Sequence, residues 1–322
     1  MKKVLLATTA LVFTAGFAAA EGHGASITIS GEAVAGLKYV EDADEETTQF
    51  VELDFGVAGK TTTDGGLEVG ASFDLDIDTG SSIEDGNLDS KDGALITDEE
   101  FYVSAGGITV TIGEPGAADD NVVGTLSDVG FDGIGIDDTA ETFFDNNSQN
   151  ILVKGEFGAI TVAASADMSE NGDEASEDYG VAAGYDAGTF SVGVSFTNDE
   201  VGPLGNSDVE TFAIGGSLTA GGADIDLFFH NASSDDFDAN PAIDADSISG
   251  YGASVAYPVG ALTIVGTIGA TDLDEDEVDF GVGIEYDLGG GVTLAGGIGQ
   301  VDSPILDDDS NTVADMGIKV KF

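Results

Sequence analysis

Apolar and polar residues alternate along most of the chain, as they do in β-strands, whose successive side chains point to opposite faces. In residues 67–78 one face carries Leu67, Val69, Ala71, Phe73, Leu75 and Ile77. The carboxylates of the other face are Glu68, Asp74, Asp76 and Asp78. Such a strand needs an apolar environment on one side and water on the other, so a sandwich layer buried on both faces is excluded.

The same alternation recurs in sixteen segments, separated in turn by short Gly-rich turns and long acidic loops. They lie near residues 26–40, 49–61, 67–78, 99–106, 108–113, 150–157, 159–168, 178–186, 189–197, 208–218, 223–231, 248–257, 261–270, 278–287, 292–300 and 312–322. An even strand number with short turns on one side and long loops on the other is typical of transmembrane β-barrels. The pattern predicts an all-β, transmembrane antiparallel barrel of about 16 strands.

Two other β architectures fit the pattern less well. A soluble lipocalin-like barrel closes with about eight strands, and a repeat solenoid requires a fixed period that this chain lacks. A barrel of sixteen strands encloses a water-filled lumen, which accounts for the polar strand faces. The sequence therefore predicts a pore.

The last predicted strand, residues 312–322, combines an apolar face with an aromatic final residue. That face carries Ala314, Met316, Ile318, Val320 and Phe322. Barrel closure removes an apolar edge that would otherwise invite aggregation, and aromatic residues form girdles at the membrane interface. We expect Phe322 to contribute to closure and assembly of the barrel.

Residues 1–20 have the pattern of a secretory signal peptide. Lys2 and Lys3 precede an apolar run that is too short to span a membrane as a helix, and Ala18–Ala20 precede Glu21. We therefore expect residues 21–322 to form the mature barrel, located in the outer membrane of a Gram-negative bacterium.

Composition narrows the possible partners. The chain has no cysteine, which excludes disulfides and thiolate metal sites. It contains 62 acidic residues, 8 lysines and no arginine, which gives a net charge of −54. Nucleic acid is excluded as a partner because binding to phosphates requires Lys and Arg.

The longest connection, residues 114–149, is the candidate constriction. A loop of this length is usually functional, and its many apolar residues could hold it against the barrel wall. Its carboxylates are Glu114, Asp119, Asp120, Asp128, Asp132, Asp137, Asp138, Glu141 and Asp145. We predict that it folds inward and narrows the lumen.

The predicted inward strand faces are mainly acidic as well. The pore-wall candidates are Glu32, Lys38, Glu52, Asp54, Asp74, Asp76, Lys154, Asp315 and Lys319. Carboxylates that line a narrow channel favour cations, so we expect the pore to prefer them.

Three stretches resemble the general porins of alphaproteobacteria: residues 65–73, residues 113–132 and residues 286–322. The resemblance implies a trimer of sixteen-stranded barrels whose third external loop folds inside. It also implies outer-membrane lipid, lipopolysaccharide, ions and small hydrophilic solutes as partners. The family sets a basic cluster opposite the acidic loop, and this chain departs from that pattern because it has no arginine.

Calcium is the metal that the loop could hold, at Asp128, Asp132, Asp137 and Asp138, because Ca²⁺ prefers carboxylate and carbonyl oxygens. No cofactor is required. No nucleophile–histidine pair or phosphate-binding loop is recognisable, so the sequence predicts a protein that is not an enzyme. The alternatives are a plugged structural or adhesin barrel, which would not conduct ions, and an outer-membrane enzyme.

Overall fold

The alternating segments form one antiparallel barrel in the computed structural model. It describes residues 11–13, 25–84, 87–90, 93–141, 144, 149–168, 178–201, 207–234, 237, 247–272, 278–301 and 310–322. The barrel strands in chain order are β1 Ser26–Val40, β2 Thr47–Thr62, β3 Glu68–Glu84, β4 Gly93–Ala105, β5 Ile108–Gly113, β6 Ile151–Phe157, β7 Ile160–Ala166, β8 Tyr179–Asp186, β9 Phe190–Val201, β10 Ser207–Ala220, β11 Ala223–Ser233, β12 Ser247–Val259, β13 Leu262–Thr271, β14 Val278–Gly289, β15 Val292–Val301 and β16 Asn311–Lys321.

Each strand pairs with the next along the chain, and β16 pairs with β1 to close the ring. This confirms the predicted sixteen-stranded antiparallel barrel. The register places Val313 opposite Val40 and Lys321 opposite Glu32. On β16, Met316 points outward and is 67% exposed, whereas Val313 and Asp315 are buried on the inner side. The two faces therefore lie as the alternation predicts.

Two short strands lie outside the ring. Leu11–Phe13 pairs with Ile27–Ile29 of β1, and Asn87–Ser90 pairs with the end of β3. The rest of the predicted signal peptide and its cleavage site lie outside the described residues, so the signal peptide stays a prediction. The short helix α1, Ile136–Ala140, belongs to the loop after β5. In the part of the chain that is described, no helix has the length and apolarity needed to cross a membrane.

The interval 79–98, which separates the predicted strand segments 67–78 and 99–106, is predicted as a loop, and this is wrong in its extent. β3 continues to Glu84 and β4 begins at Gly93, so most of this segment is a hairpin. The loop at 198–207 is shortened in the same way, since β9 continues to Val201. Where a strand extends beyond the apolar environment, its backbone hydrogen bonds continue although its side chains no longer alternate between apolar and polar. A prediction based on hydrophobic alternation therefore ends the strand too early.

The end of the chain is fixed to the first strand. Phe322 and Gly31 exchange two backbone hydrogen bonds of 2.9 Å each, and the Phe322 ring lies 5.7 Å from the Phe55 ring. A charged side chain on the lipid-facing side destabilises a barrel less near the membrane interface than at the midplane. An aspartate in place of Phe322 would nevertheless remove the aromatic contact with Phe55. We expect Phe322→Asp to lower the amount of heat-modifiable barrel recovered from membranes. Recovery equal to the wild-type level would contradict this role for Phe322.

Candidate pore constriction

The described residues of the predicted loop, 114–141, 144 and 149, leave the wall after β5 and lie against the inside of the barrel. The first part of the loop, up to Phe131, contacts successive strands of the wall from β8 to β16. Phe131 itself reaches β1. The part of the loop after Phe131 contains α1, which packs mainly against β12 and β13. The last residue of the loop, Gln149, donates a hydrogen bond of 2.6 Å to Asp199 on β9. The predicted inward fold of this loop is what the structure shows.

Glycines on the inner wall allow this close approach. A Cβ atom at Gly297 would lie 2.6 Å from Val129 Cγ1, and one at Gly299 would lie 2.6 Å from Ile136 Cδ1. Separations below about 3 Å are essentially never seen for real Cβ atoms, so any larger residue here would displace the loop. We call the following set the glycine track: Gly36, Gly184, Gly193, Gly215, Gly252, Gly269, Gly281, Gly283, Gly297, Gly299 and Gly317.

Apolar side chains supply much of the attachment of the loop. Val129, Ile134 and Ile136 are buried in one cluster with side chains of the wall. Phe144 packs edge-on against Phe228, with the ring centroids 4.8 Å apart. Burial of one such side chain contributes about 1.5–3 kcal/mol, so these contacts hold the loop on the wall.

Asp315 on β16 fixes the loop at its furthest point. Its Oδ2 accepts hydrogen bonds from the backbone N–H groups of Phe131 at 2.8 Å and Asp132 at 3.2 Å. Its Oδ1 accepts a third, from the Gly297 N–H, at 2.9 Å. Asp315 faces inward as predicted, but it is 6% exposed and occupied by the loop. Asp315 therefore belongs to the inner wall but does not line the open passage, since the loop covers it.

Two further wall carboxylates hold the loop at other points. The Asp226 Oδ2 accepts hydrogen bonds of 2.8 Å from the hydroxyls of Ser127, in the loop, and Ser254, on β12. The carboxylate of Asp279 accepts a hydrogen bond from the Thr139 hydroxyl of α1. Part of the inward acidic charge thus serves to attach the loop.

Lys38 and Asp132 form an ion pair at the tip of the loop. The Lys38 side chain is 1% exposed, and its ammonium lies 4.2 Å from the centroid of Phe50 and 5.8 Å from that of Phe131. Burial raises the pKa of the Asp132 carboxyl, while the Lys38 ammonium opposes that rise. The Lys38 ammonium is therefore buried and paired with Asp132, so it is not exposed to the passage.

Acidic side chains cover the inner face of β1 to β3, beside the tip of the loop. Strand register places Asp54 opposite both Glu32 and Asp76, and it places Glu52 opposite Asp78. Carboxylate oxygens of Glu52, Asp54 and Asp78 lie within 4.8 Å of one another. We call the following set the acidic wall: Glu32, Glu52, Asp54, Asp74, Asp76 and Asp78.

The nine loop carboxylates predicted for the constriction differ in their environments. Asp119, Asp137 and Glu141 are buried, so they do not line the passage, and Asp145 lies outside the described residues. Asp120, Asp128 and Asp132 are partly exposed. Glu114 and Asp138 are exposed, and Glu114 accepts a hydrogen bond of 2.9 Å from the Asp98 N–H. The buried members stabilise the loop; the Glu141 carboxylate, for example, accepts a hydrogen bond of 2.9 Å from the Leu126 N–H.

The remaining predicted wall residues lie as follows. Lys154 on β6 is 3.7 Å from Glu156, and Lys319 on β16 is 3.8 Å from Glu285. The predicted calcium ligands Asp128, Asp132, Asp137 and Asp138 are not brought together as one group. Within the described residues, the carboxylates close enough to share a metal ion are Glu52, Asp54 and Asp78.

A closed barrel with an internal loop can be compared with known protein families. The family model described as Gram-negative porin matches residues 7–304. The chain belongs to the Gram-negative porin family. The porin of Rhodobacter capsulatus is 28% identical over 320 residues, covering 92% of this chain and all of that protein. The porin of Fuscovulum blasticum is 25% identical over 314 residues, with the same coverage.

Solved porin structures share the fold. A mutant of the Rhodopseudomonas blastica porin superposes with a TM-score of 0.70 at 23% identity, covering 92% of this chain and all of that one. A porin refined at 1.8 Å resolution gives a TM-score of 0.69 at 24% identity. Membership of the Gram-negative porin family makes this chain an outer-membrane channel protein, and its curated relatives are porins, which are channels and not enzymes.

Proposed function

We propose that this porin forms a water-filled diffusion channel for ions and small hydrophilic solutes, and that the channel prefers cations. The acidic wall is the observation that carries the proposal. Carboxylates on a channel wall attract cations and repel anions, and the low-dielectric surroundings of a narrow pore strengthen that field. The wall lies beside the loop tip, where Phe131 reaches β1.

The lysines of the barrel do not balance this charge. Lys38 is buried against Asp132, and Lys321 lies 3.1 Å from Glu32. Lys60 is paired with Glu68 at 3.1 Å. In the part of the chain that the structure describes, each lysine thus has an acidic neighbour. The remaining carboxylates of the acidic wall keep the passage negative.

Neutralising the acidic wall tests this proposal. We expect the variant Glu52→Gln, Asp54→Asn, Asp76→Asn to lose most of the cation preference, because three carboxyl groups of the acidic wall are replaced by neutral amides. The measurement is the reversal potential of the channel in a planar bilayer across a KCl gradient at low ionic strength, where the Debye length is about 30 Å at 0.01 M.

The matched control removes the same number of charges at the turn side of the barrel, with Asp64→Asn, Asp186→Asn and Asp287→Asn. We expect this control to keep a reversal potential close to that of the wild type. Equal shifts in the two variants would show that net charge, and not the acidic wall, sets the selectivity. A wild-type protein that inserts without conducting would favour the plugged structural or adhesin barrel.

We also propose that the porin assembles as a homotrimer in contact with outer-membrane lipid and lipopolysaccharide. Small outward residues support this, since the exposed faces of β1 and β7 include Ala33, Ala35, Ala164 and Ala166. Such strands offer less apolar surface to lipid and allow close packing of a second barrel. Native mass spectrometry in a mild detergent should show three chains; a monomer at all protein concentrations would contradict the trimer.

A further inference from the structure

A polar cavity lies between the start of the loop and the wall formed by β4, β5 and β6. It has a volume of about 240 Å³. This is smaller than the sites of about 300–1,000 Å³ that hold drug-sized ligands, so it suits a solute of fewer atoms. The residues that give it its chemistry are Glu100, Thr109, Thr111, Asn121, Lys154 and Glu156.

Lys154 is the cation of this cavity, and it is only loosely engaged. Its ammonium is 3.7 Å from the Glu156 carboxylate, and the two side chains are 30% and 67% exposed. An exposed ion pair at this distance contributes little free energy, typically about 0–1 kcal/mol. The Lys154 ammonium also has three donors, so it can bind a further anionic group without losing its neighbour.

Three residues that carry acceptor oxygens, Glu100, Asn121 and Glu156, line the same cavity. The Asn121 amide nitrogen donates to the backbone carbonyls of Pro115 at 3.1 Å and Ala117 at 2.9 Å. Both of its N–H donors are thereby used, which leaves its carbonyl oxygen as the group available to a ligand. The carboxylates of Glu100 and Glu156 also line the cavity. An ammonium group finds several acceptors here.

We propose that this cavity is a subsite for small zwitterions of amino-acid size. The carboxylate of the solute would contact Lys154, and its ammonium would contact the oxygens of Glu100, Glu156 and Asn121. A simple anion would meet two carboxylates, and a simple cation would meet Lys154, so a molecule that carries both charges fits better than either. The inference deepens the proposed channel function, because it names one class of solute that the channel retains during passage.

Binding of L-alanine to the folded porin in a nonionic detergent tests the subsite independently of transport. Saturation-transfer NMR is expected to give saturable binding, weaker for ethylammonium and for propionate, which each carry one of the two charges. In Lys154→Gln the concentration for half-saturation by alanine should rise about tenfold, as expected for loss of one charge-assisted contact. The matched control Lys60→Gln removes a lysine that is paired with Glu68 elsewhere, and it should bind as the wild type does.

Two results would overturn the subsite: alanine binding that Lys154→Gln leaves unchanged, or ethylammonium binding as tight as that of alanine, which would indicate a site for cations alone. Glycerol-driven swelling of proteoliposomes reports on the channel separately. Absence of swelling with intact alanine binding would refute the diffusion channel and leave the subsite standing. Swelling without alanine binding would refute the subsite and leave the diffusion channel standing.

Discussion

Replacing Asp315 by alanine is expected to release the tip of the constriction loop. The change leaves the N–H groups of Phe131, Asp132 and Gly297 without their acceptor. Each hydrogen bond to a charged group contributes about 1.5–3 kcal/mol, so local opening of the tip becomes easier by several kcal/mol. Amide hydrogen exchange at Phe131 and Asp132 should therefore accelerate at least about tenfold, since about 1.4 kcal/mol is a factor of ten. Single-channel currents should become noisier.

A matched control is Asp287→Ala, which removes a carboxylate that accepts a 2.7 Å hydrogen bond from the Gly289 N–H in a turn. This variant also loses one negative charge, but it does not touch the loop. We expect its exchange rates at the loop tip and its current noise to match those of the wild type. Unchanged exchange at Phe131 in Asp315→Ala would show that the apolar contacts alone fix the tip.

Filling the glycine track is expected to have the second large effect. In Gly297→Val the new Cβ would approach Val129 at 2.6 Å and the Gly130 nitrogen at 3.0 Å. Overpacking of this kind costs about 1–3 kcal/mol, and the loop can relieve it by moving away from the wall. Because that movement is toward the passage, the single-channel conductance should fall.

Gly266→Val is the matched control, because it makes the same substitution on a barrel strand. The nearest atoms to a Cβ at Gly266 are 3.8 Å away and belong to Gly281 and Val255, so the added side chain fits without contact with the loop. Its conductance should equal that of the wild type. A Gly297→Val channel that conducts as well as Gly266→Val would contradict the placement of the loop on the glycine track.

The barrel could be predicted from the sequence because the lipid-facing and lumen-facing environments impose a period of two on each strand. In β14, for example, Phe280, Val282 and Ile284 point outward and are exposed. The direction in which Glu52, Asp54 and Asp315 point follows from the same parity. Strand ends were less predictable, as β3 and β4 show, because hydrogen bonding continues where the apolar face stops.

The path of the inserted loop could not be read from the sequence. Because of this path, the loop covers Asp315 and Asp279, whereas the acidic wall lies beside the tip of the loop. Such contacts join residues far apart in the chain, and hydrophobic periodicity carries no information about them. One signal was present: glycine takes successive inward positions at Gly281 and Gly283, and again at Gly297 and Gly299. Repeated inward glycine weakens a strand, so it indicates that another segment packs closely there.

The reversal potential of the wild-type porin across a KCl gradient is the most direct test of the central claim. It should be measured at low ionic strength, where exposed charges are least screened. A chelator should be present, so that divalent cations do not neutralise the carboxylates. The acidic wall, together with the carboxylate beside each described lysine, predicts a potential of cation-selective sign, and this potential should shrink as the salt concentration rises. A potential of anion-selective sign would contradict the account.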